Sequence, residues 1–341
     1  MDFSKVIMER RSIRKYKATT VPPDVIVNLL HQAVNLLEME EKAQWRCILY
    51  STPESRKRLS ECMLSKVTDS ALGRLIPGKM IDFLVKQINN TPTVAVFIAE
   101  AASDPRQGDA NYAVVCSLMQ NFQLLSWDAG LGMLWYTDKL LYTPAFFSEI
   151  GLKDGERFAG ILNIGYFEKA PRARNRTPAE QKWTAVVPNS KPRLGTNSSA
   201  ISQQSVLDLL NVAVWAPNDG LREPWRFVFA AGEEAAAKLH LSPDHASSAF
   251  LVIVAEEESN PHKREEDYAA VCCLIQNFLL LARTKPWHVR RTVPEWIYSG
   301  EGALPFGIRP QEKIVAVLEL GNAVPSSRPL SRTSTLDVTI R

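Results

Sequence analysis

The sequence predicts an α+β sandwich, present twice in one chain, with mixed or antiparallel sheets flanked by helices. Three observations predict it. Residues 111–127 (NYAVVCSLMQNFQLLSW) return at 267–283 (DYAAVCCLIQNFLLLAR) with ten of seventeen positions identical at an offset of 156. Short buried strands alternate loosely with amphipathic helices, and no glycine-rich turn joins strand to helix as a doubly wound sheet would require. The repeat period is also far longer than a solenoid unit of about 20 to 50 residues, so whole domains or former subunits are fused.

The elements follow in order. Asp2 to Arg11 carries Phe3, Val6 and Ile7 at helical spacing and runs into the basic cluster Arg10-Arg11-Ser12-Ile13-Arg14-Lys15-Tyr16. A second helix starts after Pro22-Pro23, because proline suits a first helical turn, and presents Val25, Leu29, Leu30 and Ala33. Ile48 to Ser51 and Thr93 to Ala99 read as buried strands rich in branched residues. Gly108 to Gly130 reads as a long buried helix stopped by glycine, followed by a strand at Phe158 to Gly165.

Each of these has a second copy. Thr93–Ala99 aligns with Ala249–Ala255 and Phe158–Gly165 with Ile314–Gly321 at the same offset. Upstream, Gln44-Trp45-Arg46 aligns with Pro224-Trp225-Arg226 at an offset of 180, so the second copy is 24 residues shorter in between. Lys169 to Ser205 is rich in proline and basic residues with little apolar periodicity. These patterns divide the chain into a first copy at 1–176, a linker at 177–204 and a second copy at 205–341.

Composition narrows the class. An apolar content of 45% in 341 residues is enough for two cores. The net charge of +3 is too small for a nucleic-acid partner, which shows itself as a concentrated basic face. Five cysteines, odd in number and without C-x-x-C spacing, argue against a disulfide framework or a zinc site and for a reducing, cytoplasmic setting. No run of about 18 apolar residues occurs, and the opening residues contain no apolar signal core, so no membrane partner is expected. The five histidines show no metal or triad spacing, and neither a metal site nor a catalytic acid or base is assigned.

Four constellations bear chemistry, each beside a plain reading. Arg10, Arg11, Ser12 and Arg14 can surround a phosphate with paired donors, or form a solvated basic helix end. Arg172, Arg174 and Arg176 carry the same two readings. Gly130-Leu131-Gly132 allows a flat ligand close to the backbone, or merely ends a helix before a strand. Ala213 to Phe227 (AVWAPNDGLREPWRF) is an apolar helix end broken by Pro217, which a plain loop would also explain.

Taken in order, these pieces resemble the FMN-dependent nitroreductase family, once per copy. The family's opening arginine pair, serine and following basic residue match Arg10-Arg11-Ser12-Ile13-Arg14. Its Gly-Leu-Gly stop matches Gly130 to Gly132, its Ala-Pro loop ending in Pro-Trp matches Ala216-Pro217 through Pro224-Trp225, and its closing arginine stretch matches Gly165-Tyr166 to Arg176. The resemblance implies a homodimer with flavins at the subunit interface. By carry-over, Arg10, Arg11, Ser12 and Arg14, with Arg174 and Arg176, would hold the phosphate of FMN. Gly130, Leu131 and Gly132 would face the ring, and Pro217, Asn218 and Asp219 would arrive from the partner, here the other copy.

The copies depart from the pattern in complementary ways. In the first, the Ala-Pro loop is replaced by 34–41, which has no proline and three carboxylates. In the second, Ser190, Lys191, Pro192 and Leu194 stand where the basic signature should be, and Pro286-Trp287-His288 replaces Gly-Leu-Gly. The expectation is one composite FMN site per chain in a protein monomeric as a fused pseudo-dimer, with residual charge at Lys191, Arg193, Arg328 and Arg332. The implied reaction passes hydride from NADH or NADPH to a small-molecule acceptor, nitroaromatic or quinone-like. Alternatives are a flavin-binding or sensing protein and a flavin-dependent oxidase or dehydrogenase. Leu64 to Asn90 is the expected variable lining of the access channel.

Overall fold

The computed structural model describes residues 1–37, 44–69, 90–138, 141–186, 201–232, 235, 237, 239, 247–298, 307–322 and 337–341. The expected loop carboxylates at 38–41, the segment 190–194, Arg328 and Arg332, and most of the channel segment 64–90 lie outside them.

In chain order the first half contains helices α1 (Phe3–Glu9) and α2 (Pro23–Asn35), strand β1 (Trp45–Tyr50), helix α3 (Pro53–Asp69) and strand β2 (Thr93–Glu100). Helix α4 (Pro105–Asp128), strand β3 (Leu131–Tyr136), helix α5 (Pro144–Glu149) and strand β4 (Glu156–Tyr166) complete it. After a 3-10 turn at Ala179–Lys182 come β5 (Trp183–Val186), α6 (Gln203–Ala213), β6 (Trp225–Ala231) and β7 (Ser247–Glu256). The chain continues with α7 (Pro261–Ala282), β8 (Trp287–Thr292), β9 (Glu312–Asn322) and β10 (Val338–Ile340).

Two compact units result, each α+β with one five-stranded mixed sheet. One takes Glu9–Ala173 and Leu330–Arg341, and the other Asp2–Met8 and Arg174–Pro329. Their strand orders are β10-β1-β2-β4-β3 and β5-β6-β7-β9-β8. Both sheets are antiparallel except at one edge, where β10 lies parallel to β1 and β5 parallel to β6.

The edge strands fall across the boundaries read in the sequence. Residues 177–186 are not free linker, since the 3-10 turn and β5 belong to the second unit. The last strand, expected in the second copy, pairs through Cys47, Ile48 and Leu49 with the first sheet. The stretch after the first copy thus supplies the edge strand of the second sheet, and the end of the second copy supplies that of the first. The reason is main-chain hydrogen bonding at an open sheet edge, which periodicity in three or four residues cannot announce.

Within each unit the long helix covers the sheet and is largely buried from Asn111 and from Asp267 onward, with Asn121 and Asn277 at 0% exposure. A buried amide must find a partner. Asn121 Nδ2 donates to Ala33 O at 3.0 Å, and Asn277 Nδ2 to Ala213 O at 3.1 Å, which ties each long helix to the first helix of its copy. Arg46 grips Glu156 with two 2.7 Å bonds, and Arg226 grips Glu312 at 2.9 and 2.7 Å. Even the bulges coincide, falling between Phe97 and Ile98 and between Ile253 and Val254. The duplication is therefore one of hydrogen-bonding architecture as well as of sequence.

Candidate functional site

On the first unit, the basic signature is positioned by its two apolar members. Gly132 and Gly165 face each other across β3 and β4. A Cβ at Gly132 would stand 2.4 Å from Ile13 Cγ1 and 2.8 Å from Phe167, and one at Gly165 would stand 2.8 Å from Tyr16 and Pro92. The glycine pair thus makes a flat patch on which Ile13 and Tyr16 lie. Ile13 N donates to Met133 O at 2.8 Å, Lys17 N to Tyr166 O at 2.7 Å, and Ser12 bridges Met133 in parallel. The Tyr16 hydroxyl lies 2.7 Å from Ile13 O and 3.0 Å from Asn163 O, and burial pushes its pKa far up.

With Ile13 and Tyr16 turned inward, the intervening polar residues are displayed. Arg14 is exposed, and Arg11 and Ser12 are half-buried. Arg10 is buried beside α4, its Nη1 3.5 Å from Gln123 Oε1. Partial burial lowers the pKa of Arg11 against the opposing pull of Glu9, so this cation has lost water that an anion could replace. Arg11 Nη1 donates to Arg10 O at 2.8 Å. Two to three guanidinium donors and a hydroxyl within five residues match the chemistry of a phosphate.

Gly130 ends α4 at φ +78, with its N–H on Trp127 O at 3.0 Å. Only glycine adopts that backbone cheaply, so the plain reading of this residue holds: it turns the chain from helix to strand. Gly132 is likewise needed for packing, because the space beside it is filled by Ile13 and Phe167 rather than left open.

On the second unit, Arg174 and Arg176 stand with the loop Pro217 to Asp219. The loop leaves α6 through Trp215, over whose ring Arg176 Cζ lies at 5.3 Å. Asn218 spans the loop, its Nδ2 donating to Ala216 O at 3.3 Å and its Oδ1 accepting Glu223 N–H at 3.2 Å. Pro217 is half-buried and Asp219 exposed. Beyond them Gly220, Leu221 and Glu223 all have positive φ, at 59, 60 and 50. Arg222 Nη2 reaches Asp267 at 2.9 Å and Glu266 at 3.5 Å on α7.

Sequence reasoning missed Glu223. It is 4% exposed, and both its carboxylate oxygens accept the N–H of Thr177, at 3.1 and 3.2 Å. Its carbonyl accepts from Lys182 Nζ. A glutamate before Pro-Trp in a polar loop gave no sign of this, since its partner lies 46 residues earlier.

Of the predicted residues, Arg10, Arg11, Ser12, Arg14, Gly130, Leu131 and Gly132 are gathered on the first unit, where β3 and segment 10–17 run side by side. Arg174, Arg176, Pro217, Asn218 and Asp219 are gathered on the second. Among the described residues no cluster suited to a metal ion occurs, and no helix is long and apolar enough to cross a membrane.

Residues 7–166 match the family model described as "Nitroreductase family". The protein named "Putative NAD(P)H nitroreductase YfhC", from Bacillus subtilis (strain 168), is 32% identical over 185 residues, covering 53% of this chain and 92% of its own. A solved nitroreductase-like family protein from Bacillus cereus is 37% identical with a TM-score of 0.49, over 53% of this chain and 94% of that one. The FMN and NADPH-dependent nitroreductase NfnB from Sphigopyxis sp. strain HMH is 14% identical with a TM-score of 0.41, over 51% and 96%. The B. subtilis protein is matched over nearly its whole length at 32% identity, and the family model covers the segment where the basic signature docks on its glycine pair, so the chain belongs to the nitroreductase family.

Proposed function

We propose that this oxidoreductase binds one FMN per chain and uses NADH or NADPH to reduce a small nitroaromatic or quinone-like acceptor. The observation that carries the reading is the display of Arg11, Ser12 and Arg14 on a strand edge fixed by Ile13 and Tyr16, with Arg10 buried beside α4. Those residues would hold the phosphate, with Arg174 and Arg176 as further cations. Gly130, Leu131 and Gly132 would border the ring, and Pro217, Asn218 and Asp219 would supply the loop that the first copy lacks. Bound flavin would supply hydride acceptance and onward electron transfer, while the protein supplies position and electrostatics. The chain's own part is to neutralise the phosphate with charges that do not titrate away and to hold the ligand in place.

Loss of the signature and of Gly-Leu-Gly from the second copy supports a single site. Charge-assisted hydrogen bonds contribute roughly 1.5 to 3 kcal/mol each, so losing two or three weakens binding on the order of a thousandfold. We further infer a cytoplasmic, monomeric pseudo-dimer. No disulfide joins any of the five cysteines, which fits a reducing compartment.

The test is spectroscopic. Purified protein should be yellow, and anaerobic NADH or NADPH should bleach it, with colour returning on addition of a nitroaromatic or quinone. A yellow protein that neither nucleotide bleaches would make it a flavin-binding protein without turnover. Rapid reoxidation by air with no nitro-compound turnover would instead favour oxidase chemistry.

A further inference from the structure

The loop from Ala216 to Pro224 is held in a conformation that its own residues resist. Leu221 and Glu223 lie in the left-handed region, which L-residues other than asparagine, aspartate and glycine seldom occupy. Such backbone persists only where surrounding contacts over-determine it, and it gathers at ligand clamps. Here the contacts converge on Glu223. Its N–H is taken by Asn218, its carbonyl by Lys182 Nζ and the Trp225 N–H, and its carboxylate by Thr177.

Thr177 directly follows Arg176. The same short strap is fixed again at Ala179, whose N–H donates to Asn211 Oδ1 at 2.8 Å, and at Glu180, whose Oε1 accepts Asn211 Nδ2 at 2.8 Å. Glu223 is bonded both within the loop and to the strap on each side of this anchor. A carboxylate buried to 4% exposure and accepting a main-chain N–H is costly to place unless that bond is kept.

We propose that Glu223 is a positioning residue: its buried carboxylate fastens the arginine strap Arg174–Arg176 to the loop Pro217–Asp219, so that both present to the flavin as one preset element. This rests on the flavin reading given above. In the first copy the sequence holds Ala43 where Glu223 stands, His31 for Asn211 and Asn35 for Trp215. Neither carboxylate nor stacking ring is available there to do the same.

The experiment pairs two readouts on the full chain: FMN affinity by titration, and hydrogen exchange of the Thr177 amide in flavin-free protein. Glu223→Ala should weaken FMN binding about tenfold to a hundredfold, the loss of preorganisation expected when one charge-assisted tether is cut. Thr177 exchange should rise in parallel, while exchange in the cores of β6 and β7 stays slow. Glu223→Gln keeps one acceptor oxygen for Thr177 and should recover most of the affinity. If Glu223→Ala speeds Thr177 exchange but leaves FMN affinity at the wild-type value, the positioning role is overturned and the flavin reading survives. If wild-type protein binds no FMN at all, the flavin reading falls and this proposal with it. Should Glu223→Ala not fold, Glu223→Gln decides alone: wild-type FMN affinity alongside faster Thr177 exchange overturns the role, and affinity that follows exchange, kept where Thr177 stays slow and reduced where it quickens, supports it.

Discussion

The two units share their internal staples and differ in what they attach to the outer strand of the sheet. Arg46–Glu156 and Arg226–Glu312, Asn121–Ala33 and Asn277–Ala213, and the paired bulges are the same construction twice. At the strand after the long helix the likeness stops. Gly132 and Leu134 of β3 correspond to His288 and Arg290 of β8, and Asn163 of β4 corresponds to Glu319 of β9. Glu319 is 2% exposed and sits opposite Arg290 in the ladder. The second unit has thus lost one glycine of the pair that seats Ile13 and Tyr16, keeps the other as Gly321, and carries an Arg290–Glu319 pair beside them. The lesson is that the repeat keeps its internal staples while the surface of its outer strand diverges.

That contrast is broken most severely at the glycine patch. Gly132→Val would place methyls where Ile13 and Phe167 already stand, and overpacking of a filled site costs roughly 1 to 3 kcal/mol. Chemical denaturation should record that loss, and FMN binding should fall with it because the signature can no longer dock. His288→Val, at the exposed equivalent in the second unit, should change stability by no more than about 0.5 kcal/mol. Equal effects at both positions would show that the units have not diverged there.

The shared staples give the next effect. Removing one partner of a buried ion pair strands the other, at roughly 3 to 5 kcal/mol when burial is complete, but less when water can reach it. The Glu312 side chain is 1% exposed and is held by Arg309 as well as Arg226, and that of Glu156 is 16% exposed, so Arg226→Ala combined with Arg309→Ala should cost about 3 kcal/mol and Arg46→Ala about half of that. Burial works against the ionised form of Glu312, but hydrogen bonds from Arg226 and Arg309 outweigh it and hold the pKa at about 2. The pair therefore contributes its stability above the usual glutamate range and loses it as pH falls toward 2. Urea midpoints of the two variants, compared at neutral pH, check the order.

The smallest effect lies where the copies differ by one atom type. Asn111 of α4, whose Nδ2 donates to Glu100 O at 3.2 Å, corresponds to Asp267 of α7. Burial lifts the Asp267 carboxyl to about 6, with Arg222 pulling down and Glu258, Glu266 and Glu256 pushing up. An acid raised above its unfolded value holds its proton more tightly when folded. Its contribution is full below pH about 4 and is lost as pH rises through 6. Relative to Asp267→Asn, the wild type should gain about 1 kcal/mol between pH 8 and pH 5. A pH-independent difference would mean that Arg222 keeps the carboxyl ionised throughout.

Much of this was legible in the chain. The repeat, the long helices and the central strands follow from apolar runs whose neighbours in sequence are also neighbours in space. Proline at 23 opens α2 and Gly130 closes α4 as their backbone preferences require. The signature's donors were readable as residue types, but not the reason they stay displayed. That reason is a contact of Ile13 and Tyr16 with glycines more than a hundred residues away. The edge strands β5 and β10 were not legible either, because three or four residues carry no period and their partners lie far off. Glu223 escaped for the same cause: a polar residue in a loop looks solvated until the strap that covers it is placed.

The central claim is that one chain carrying two copies of the scaffold binds a single FMN. Its most direct measure is the FMN released by denaturing a known quantity of protein reconstituted with excess FMN and then desalted. About one flavin per polypeptide is predicted. Two per polypeptide, or none, would contradict it.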